Sequence, residues 1–252
     1  MFAVLLFALI IGLVIGSFLN VVIHRLPLGE SVVTPRSRCP KCGHEISGIE
    51  NVPVLSWLAL RGRCRGCRAP ISPRYPLIEL ATGLLWVAVV AAAYDEPERI
   101  ALGLILATAL VPITAIDLEH RRIPNKITGP AAIALVIAGA ALDLSGEPSR
   151  LMWGAIVALP FFALALILSK SMGLGDAKLM GVMGLALGRA VIPALFIAFL
   201  AGTLVGLAIM AKHGAKSRKT AVPFGPFLAL GAVISFFVGD DLVRTYLDAV
   251  GQ

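Results

Sequence analysis

Apolar residues in this chain run in long unbroken blocks, with neither the alternation of an exposed strand nor the narrow stripe of a surface helix. The blocks cover roughly 2–23, 77–94, 100–116, 127–144, 151–168, 174–188, 190–210 and 224–239. A helix that is apolar all round faces lipid or a core, and about 20 such residues cross a bilayer. The pattern predicts an all-α polytopic membrane protein with about eight transmembrane helices. Met1–Ile23 lacks a basic flank ahead of its apolar run, so it is expected to remain as a membrane helix rather than be cleaved as a signal peptide.

One long stretch breaks the pattern. Residues 24–76 hold seven prolines and all four cysteines, which predicts a small loop-rich module between the first and second helices. The expected division is a first transmembrane helix at 1–23, a polar module at 24–76 and a multi-helix membrane core at 77–252.

Composition strengthens this picture. The 252 residues are 58% hydrophobic and 15% charged, with a mean hydropathy of +0.89. Soluble domains carry about 25% charged residues. An ordinary cytosolic enzyme, a disordered chain and a disulfide-rich secreted module are all excluded.

The net charge of +7 raises the question of nucleic acid, and its distribution answers it. With the N-terminus outside and eight spans, eighteen of the 22 Lys/Arg fall in the inner segments 24–76, 117–126, 169–178 and 211–221. Only Arg99, Arg150, Arg189 and Arg244 lie outside, as the positive-inside rule requires. Merging 174–210 into one span would move Lys212, Lys216, Arg218 and Lys219 outside, so a break is expected near Gly188–Arg189. The basic excess is therefore a topology signal with attraction to membrane lipid as a by-product. No nucleic-acid partner is expected.

Cys39-Pro40-Lys41-Cys42 and Cys64-Arg65-Gly66-Cys67 form two CxxC knuckles 21 residues apart. A two-residue spacer lets both thiolates of a knuckle reach one metal, and two knuckles complete the closed four-thiolate shell of structural Zn²⁺. Gly43 and Gly66 suit the turns this needs. Disulfides are disfavoured in a loop expected to face the cytosol. His44 is expected to be a solvated loop histidine, since four thiolates already fill the shell.

Two acids stand apart from those in outer loops. Asp117 closes an apolar run, and Asp176 lies in Gly173-Leu174-Gly175-Asp176, where the sixth block begins. Carboxylates at membrane depth are costly and face a partner or a watery cavity. The topology puts both at the inner interface, where a close pair shares one proton: one carboxylate activates water while the other donates to a scissile carbonyl. The bland alternative is a helix cap or an ion pair with Arg121, Arg122 or Lys178. Glu79 is a third interfacial acid, and Pro76 suggests it sits in a helix first turn, favoured by the macrodipole.

Several segments together resemble the bacterial type IV prepilin peptidases, the leader peptidase/N-methyltransferases. They are Gly16-Ser17-Phe18-Leu19-Asn20 through Pro27, the paired knuckles, Arg61-Gly62-Arg63-Cys64, Ser72-Pro73-Arg74-Tyr75-Pro76 through Leu80, Asp117 through Asn125, and the Gly-x-Gly-Asp at 173–176. The resemblance runs nearly end to end. It implies a membrane aspartic endopeptidase of the bacterial inner membrane, its active site facing the cytosol. The substrates implied are type IV prepilins or pseudopilins, cut after a glycine and then N-methylated from S-adenosylmethionine. Asp117 and Asp176 match the catalytic pair, and Cys39, Cys42, Cys64 and Cys67 the zinc module. Gly62 and Arg63 match a stretch tied to methyl transfer. Many family members carry an aspartate where this chain has Asn125, which removes an auxiliary acid. Two other classes compete: a proton-coupled transporter using Asp117 and Asp176 as a relay, and a non-catalytic scaffold with a zinc hub.

Overall fold

The computed structural model describes residues 1–167, 173–213 and 222–251. Among them the chain is helical, with α1 (Phe2–Arg25), α2 (Leu55–Ala59), α3 (Arg74–Ala92), α4 (Pro97–His120), α5 (Asn125–Leu142), α6 (Glu147–Ile167), α7 (Leu174–Leu187), α8 (Val191–His213) and α9 (Gly225–Ala249). Seven helical stretches are long and apolar enough to cross a membrane, so this is a multi-pass membrane protein. One of the seven, Leu174–Lys212, is 39 residues long, about twice what a bilayer needs. It is broken where Gly188 takes φ +54 and a short 3₁₀ turn, Gly188–Ala190, separates α7 from α8. The break falls where the charge count requires it. Lys170 and most of the inner segment 211–221, including Lys216, Arg218 and Lys219, lie outside the described residues.

The chain divides into two compact units, Met1–Tyr94 and Asp95–Gln252. In the first, α1 packs along α3. The contact is close because Gly16 has no side chain: a Cβ there would stand 2.7 Å from the Glu79 Cα. Asn20 Nδ2 then donates to the Tyr75 carbonyl at 3.1 Å, fixing the register of the two helices. Residues 26–73 between them carry α2, short turns and isolated bridges rather than strands.

The second unit is a bundle whose core lies between α4, α5, α6, α7, α8 and α9. Ile113, Leu135, Leu179, Met180, Met183, Val191 and Leu228 are fully buried there. In lipid, helices associate through close backbone approach rather than hydrophobic exclusion, and α6 meets α7 at such a point. A Cβ on Gly184 would lie 2.7 Å from the Gly154 Cα. One end of this unit is tied by charge: Arg150 pairs with Asp143 at 3.0 Å and Glu147 at 3.2 Å, and Arg189 pairs with Asp240 at 3.1 Å. Asp240, Asp241 and Asp248 belong to α9, which runs ten residues past its expected end. The polar turns beyond Val238 stay helical, and one of their acids is the partner of Arg189.

Candidate active site and metal centre

The two aspartates occupy helix ends in the second unit. Asp117 lies in the last turn of α4, which closes on Arg121 in the left-handed region (φ 52), and is 4% exposed. Asp176 lies in the first turn of α7 and is half-buried. They stand within electrostatic reach of one another. Asp117 is held by a third helix: Oδ2 accepts the Gly225 N–H, at the start of α9, at 2.8 Å. A helix N-terminus presents unsatisfied N–H groups and positive potential, so α9 complements negative charge on Asp117. A Cβ at Gly225 would fall 2.8 Å from that same Oδ2. Sequence reasoning missed Gly225, although Pro226 behind it signals a helix start.

The glycines of the Gly-x-Gly-Asp segment act through space. A Cβ on Gly175 would meet the Ile123 Cβ at 2.8 Å, so glycine lets α7 seat against the turn between α4 and α5. A Cβ on Gly173 would stand 3.0 Å from Asp176 Oδ2. Asn125, where an acid was noted as common, accepts a hydrogen bond from Lys178 Nζ at 2.9 Å. Lys178 is thus tied to α5 and does not neutralise Asp176.

In the first unit the four thiols converge, all within 4.8 Å of one another. Cys39 and Cys67 Sγ are 3.8 Å apart, and Cys42 and Cys64 Sγ are 4.0 Å apart. These distances are far beyond a disulfide. A Zn–S bond of about 2.3 Å sets tetrahedral S···S edges of about 3.8 Å, so the cradle fits a metal ion of that size. The two knuckles share one backbone plan. Cys39 N donates to His44 O and Gly43 N to Cys39 O; Cys64 N donates to Ala69 O and Arg68 N to Cys64 O. The left-handed position is the fourth after each leading cysteine, Gly43 (φ 72) and Arg68 (φ 58). Gly66 was expected to supply that turn. It instead makes room, since its Cβ would meet the His44 Cβ at 3.2 Å and Cys42 Sγ at 3.4 Å.

The thiols differ in acidity. The N–H groups of Cys42 and Lys41 hold Cys39 down to about 6. Cys42 is pushed up to about 12: the His44 N–H opposes the shift, but burial and the neighbouring thiols outweigh it. His44 is not freely solvated as expected, because its Nε2 lies 3.2 Å from both oxygens of Glu50. Glu50 also accepts from Ser47 N and Oγ at 2.9 Å. The Ser47 bonds first, then His44, hold its carboxyl down to about 2.

Glu79 is not in the first turn of its helix, which begins at Arg74. The macrodipole role therefore fails, and its carboxylate instead accepts the Val54 N–H. Gly62 (φ 64) is buried beneath Trp57, with Arg63 exposed beside it.

Fold and sites together define a polytopic helical membrane protein with two carboxylates at helix ends within electrostatic reach and a cluster of four thiols that fits a metal ion. Residues 10–93 match the family model of the bacterial peptidase A24 N-terminal domain, and residues 104–207 that of the type IV leader peptidase family. The chain is 42% identical over 226 residues to the prepilin leader peptidase/N-methyltransferase of Myxococcus xanthus, covering 87% of this chain and 67% of that protein. It is 38% identical over 266 residues to the protein of that name from Aeromonas hydrophila, covering 94% and 91%. For the Pseudomonas aeruginosa protein of that name the identity is 34% over 279 residues, covering 99% and 95%. The chain belongs to the type IV leader peptidase family. No solved structure matches it.

Proposed function

We propose that this chain removes the leader from type IV prepilins or pseudopilins with Asp117 and Asp176 as an aspartic pair, and then N-methylates the exposed terminus from S-adenosylmethionine. The observation that carries the first half is that carboxylates from α4 and α7 stand within electrostatic reach at one end of the second unit, one of them clamped by α9. The Gly225 bond uses Oδ2 of Asp117, and Oδ1 would take the shared proton or the water.

The chemistry follows from the pairing. Two close carboxylates hold one proton between them. The ionised member takes a proton from water as its oxygen attacks the scissile carbonyl, and the protonated member donates to the carbonyl oxygen. A tetrahedral intermediate forms. Its collapse breaks the C–N bond, returns the oxygen's proton to one carboxylate and delivers the other proton to the departing amine. A relay for proton-coupled transport would need acids leading toward mid-membrane, whereas both acids here sit at helix ends.

Methyl transfer is assigned to the first unit, since the family model for the peptidase, 104–207, holds both aspartates and the N-terminal model, 10–93, holds neither. Gly62 and Arg63 are its candidate residues. Cys39, Cys42, Cys64 and Cys67 would hold a structural zinc ion there, which fixes two turns in a module with little apolar core. The cytosolic facing of both sites and the outward N-terminus are argued from the distribution of basic residues.

The test is mass spectrometry of a prepilin-type peptide incubated with the purified chain in detergent micelles, with and without S-adenosylmethionine. A cut in both samples and a methyl shift only with the donor are expected. An uncut peptide in both would overturn the peptidase assignment.

A further inference from the structure

The first unit contains a buried acid that the cleavage chemistry does not use. Glu79 is 8% exposed, with Oε2 accepting the Val54 N–H at 2.7 Å and the Ser17 hydroxyl beside it. Among the described residues no Lys, Arg or His pairs with it. A buried carboxylate without a cation is costly and persists where its hydrogen bonds hold something in place.

What it holds is strained. Val54 has φ 61 and ψ −50, and the Leu55 N–H turns back to the Pro53 carbonyl. This is the rare form of γ-turn, in a β-branched residue that avoids positive φ. Such a conformation survives only where its surroundings impose it, and here the imposing contact is the bond from Val54's own N–H to Glu79.

The turn opens α2, and α2 sets Gly62. The Trp57 ring covers Gly62 so closely that a Cβ would lie 2.8 Å from Cζ2. Trp57 Nε1 donates to the Ile71 carbonyl at 3.2 Å. Gly62 N donates to Trp57 O at 2.8 Å, and Ile71 N to Gly62 O at 2.7 Å. An unbroken series of contacts thus runs from Gly16 and Glu79, through Val54 and Trp57, to Gly62 and the adjoining knuckle.

We propose that Glu79 is a positioning residue for methyl transfer: clamping the Val54 turn to α3 sets the segment that presents Gly62 and Arg63. This rests on the assignment of methyl transfer to the first unit. Glu79 takes no part in cleavage.

The experiment compares wild type, Glu79→Leu, Glu79→Gln and Glu79→Leu/Val54→Gly, as purified full-length proteins with one prepilin-type peptide and S-adenosylmethionine. Cleavage and methyl shift are read from the same spectra, alongside metal content. Leucine accepts no hydrogen bond, so methyl transfer should fall about tenfold or more, with cleavage within about twofold of wild type. Glutamine still offers an oxygen to Val54 N–H and should keep most of the methyl transfer. Glycine adopts positive φ freely, so Val54→Gly should restore much of the loss in Glu79→Leu. A wild-type rate in Glu79→Leu, parallel loss of cleavage in Glu79→Leu and Glu79→Gln, or no rescue by Val54→Gly would overturn the proposal alone. Absence of methyl transfer by the wild type would overturn the assignment beneath it.

Discussion

Gly225→Ala isolates the part α9 plays. The added methyl would stand 2.8 Å from Asp117 Oδ2 and 3.2 Å from its Cβ and Cγ, so the carboxylate or the start of α9 must move. Either movement breaks the 2.8 Å bond from Gly225 N. A hydrogen bond to a charged group contributes about 1.5–3 kcal/mol, and each 1.36 kcal/mol is about tenfold in rate. If the aligned carboxylate is needed in the transition state, kcat for leader cleavage should fall roughly 10- to 150-fold. KM should change little, because the bond orients a reacting group rather than the peptide. Gly206→Ala is the matched control, since nothing lies within 4 Å of a Cβ there. Alanine in a helix interior is better by about 0.5–1 kcal/mol, so this variant should cleave normally. The assay is steady-state cleavage of a prepilin-type peptide in micelles, with thermal unfolding to confirm that both variants are folded. Cleavage by folded Gly225→Ala within threefold of Gly206→Ala would refute the idea that α9 aligns Asp117.

Three further outcomes are expected. Asp117→Asn and Asp176→Asn should each abolish cleavage without unfolding, because an amide can neither take a proton from water nor serve as the acid; near wild-type turnover in either would exclude the pair mechanism. Replacing Cys39 and Cys64 with Ser should release one bound metal per chain and open residues 24–76 to limited proteolysis, read by metal analysis and peptide mapping. Asp143 is held below the ordinary carboxylate range, first by the Ser145 hydroxyl and then by Arg150 and the Gly146 N–H. A carboxyl depressed in the fold stabilises it above the unfolded value and loses that contribution as pH falls below it. Asp143→Asn should therefore lower the melting temperature at pH 7, and the gap from wild type should close in acid; a gap independent of pH would contradict this.

Much of the fold was legible because a bilayer dictates it. Span length is imposed by lipid and is written in composition alone. The knuckles were legible for a similar reason, since metal geometry fixes their spacing. Details set by tertiary contact were not. Gly66 looked like the turn residue, but the left-handed position falls two residues later on Arg68, a type no propensity scale would nominate. Glu79 looked like a first-turn acid because Pro76 marks a helix start, yet α3 begins two residues before Pro76. Its partner, Val54, lies 25 residues away, and no local pattern announces such a bond.

One hydrogen bond shows how the long helical stretch runs. Taken as a single crossing, the 39-residue stretch Leu174–Lys212 would deliver α9 to the face opposite the start of α7. Taken as two, divided at Gly188, it returns α9 to the same face. Gly225 N reaches Asp117 at 2.8 Å, and Asp117 stands within reach of Asp176 at the start of α7. The starts of α7 and α9 therefore lie at one end of the second unit, and α7 and α8 run in opposite directions. α7 alone is 14 residues, about 21 Å long, shorter than the roughly 30 Å of a hydrocarbon core. A short α7 keeps Asp176 at the end of the bundle, beside the last turn of α4 and the start of α9.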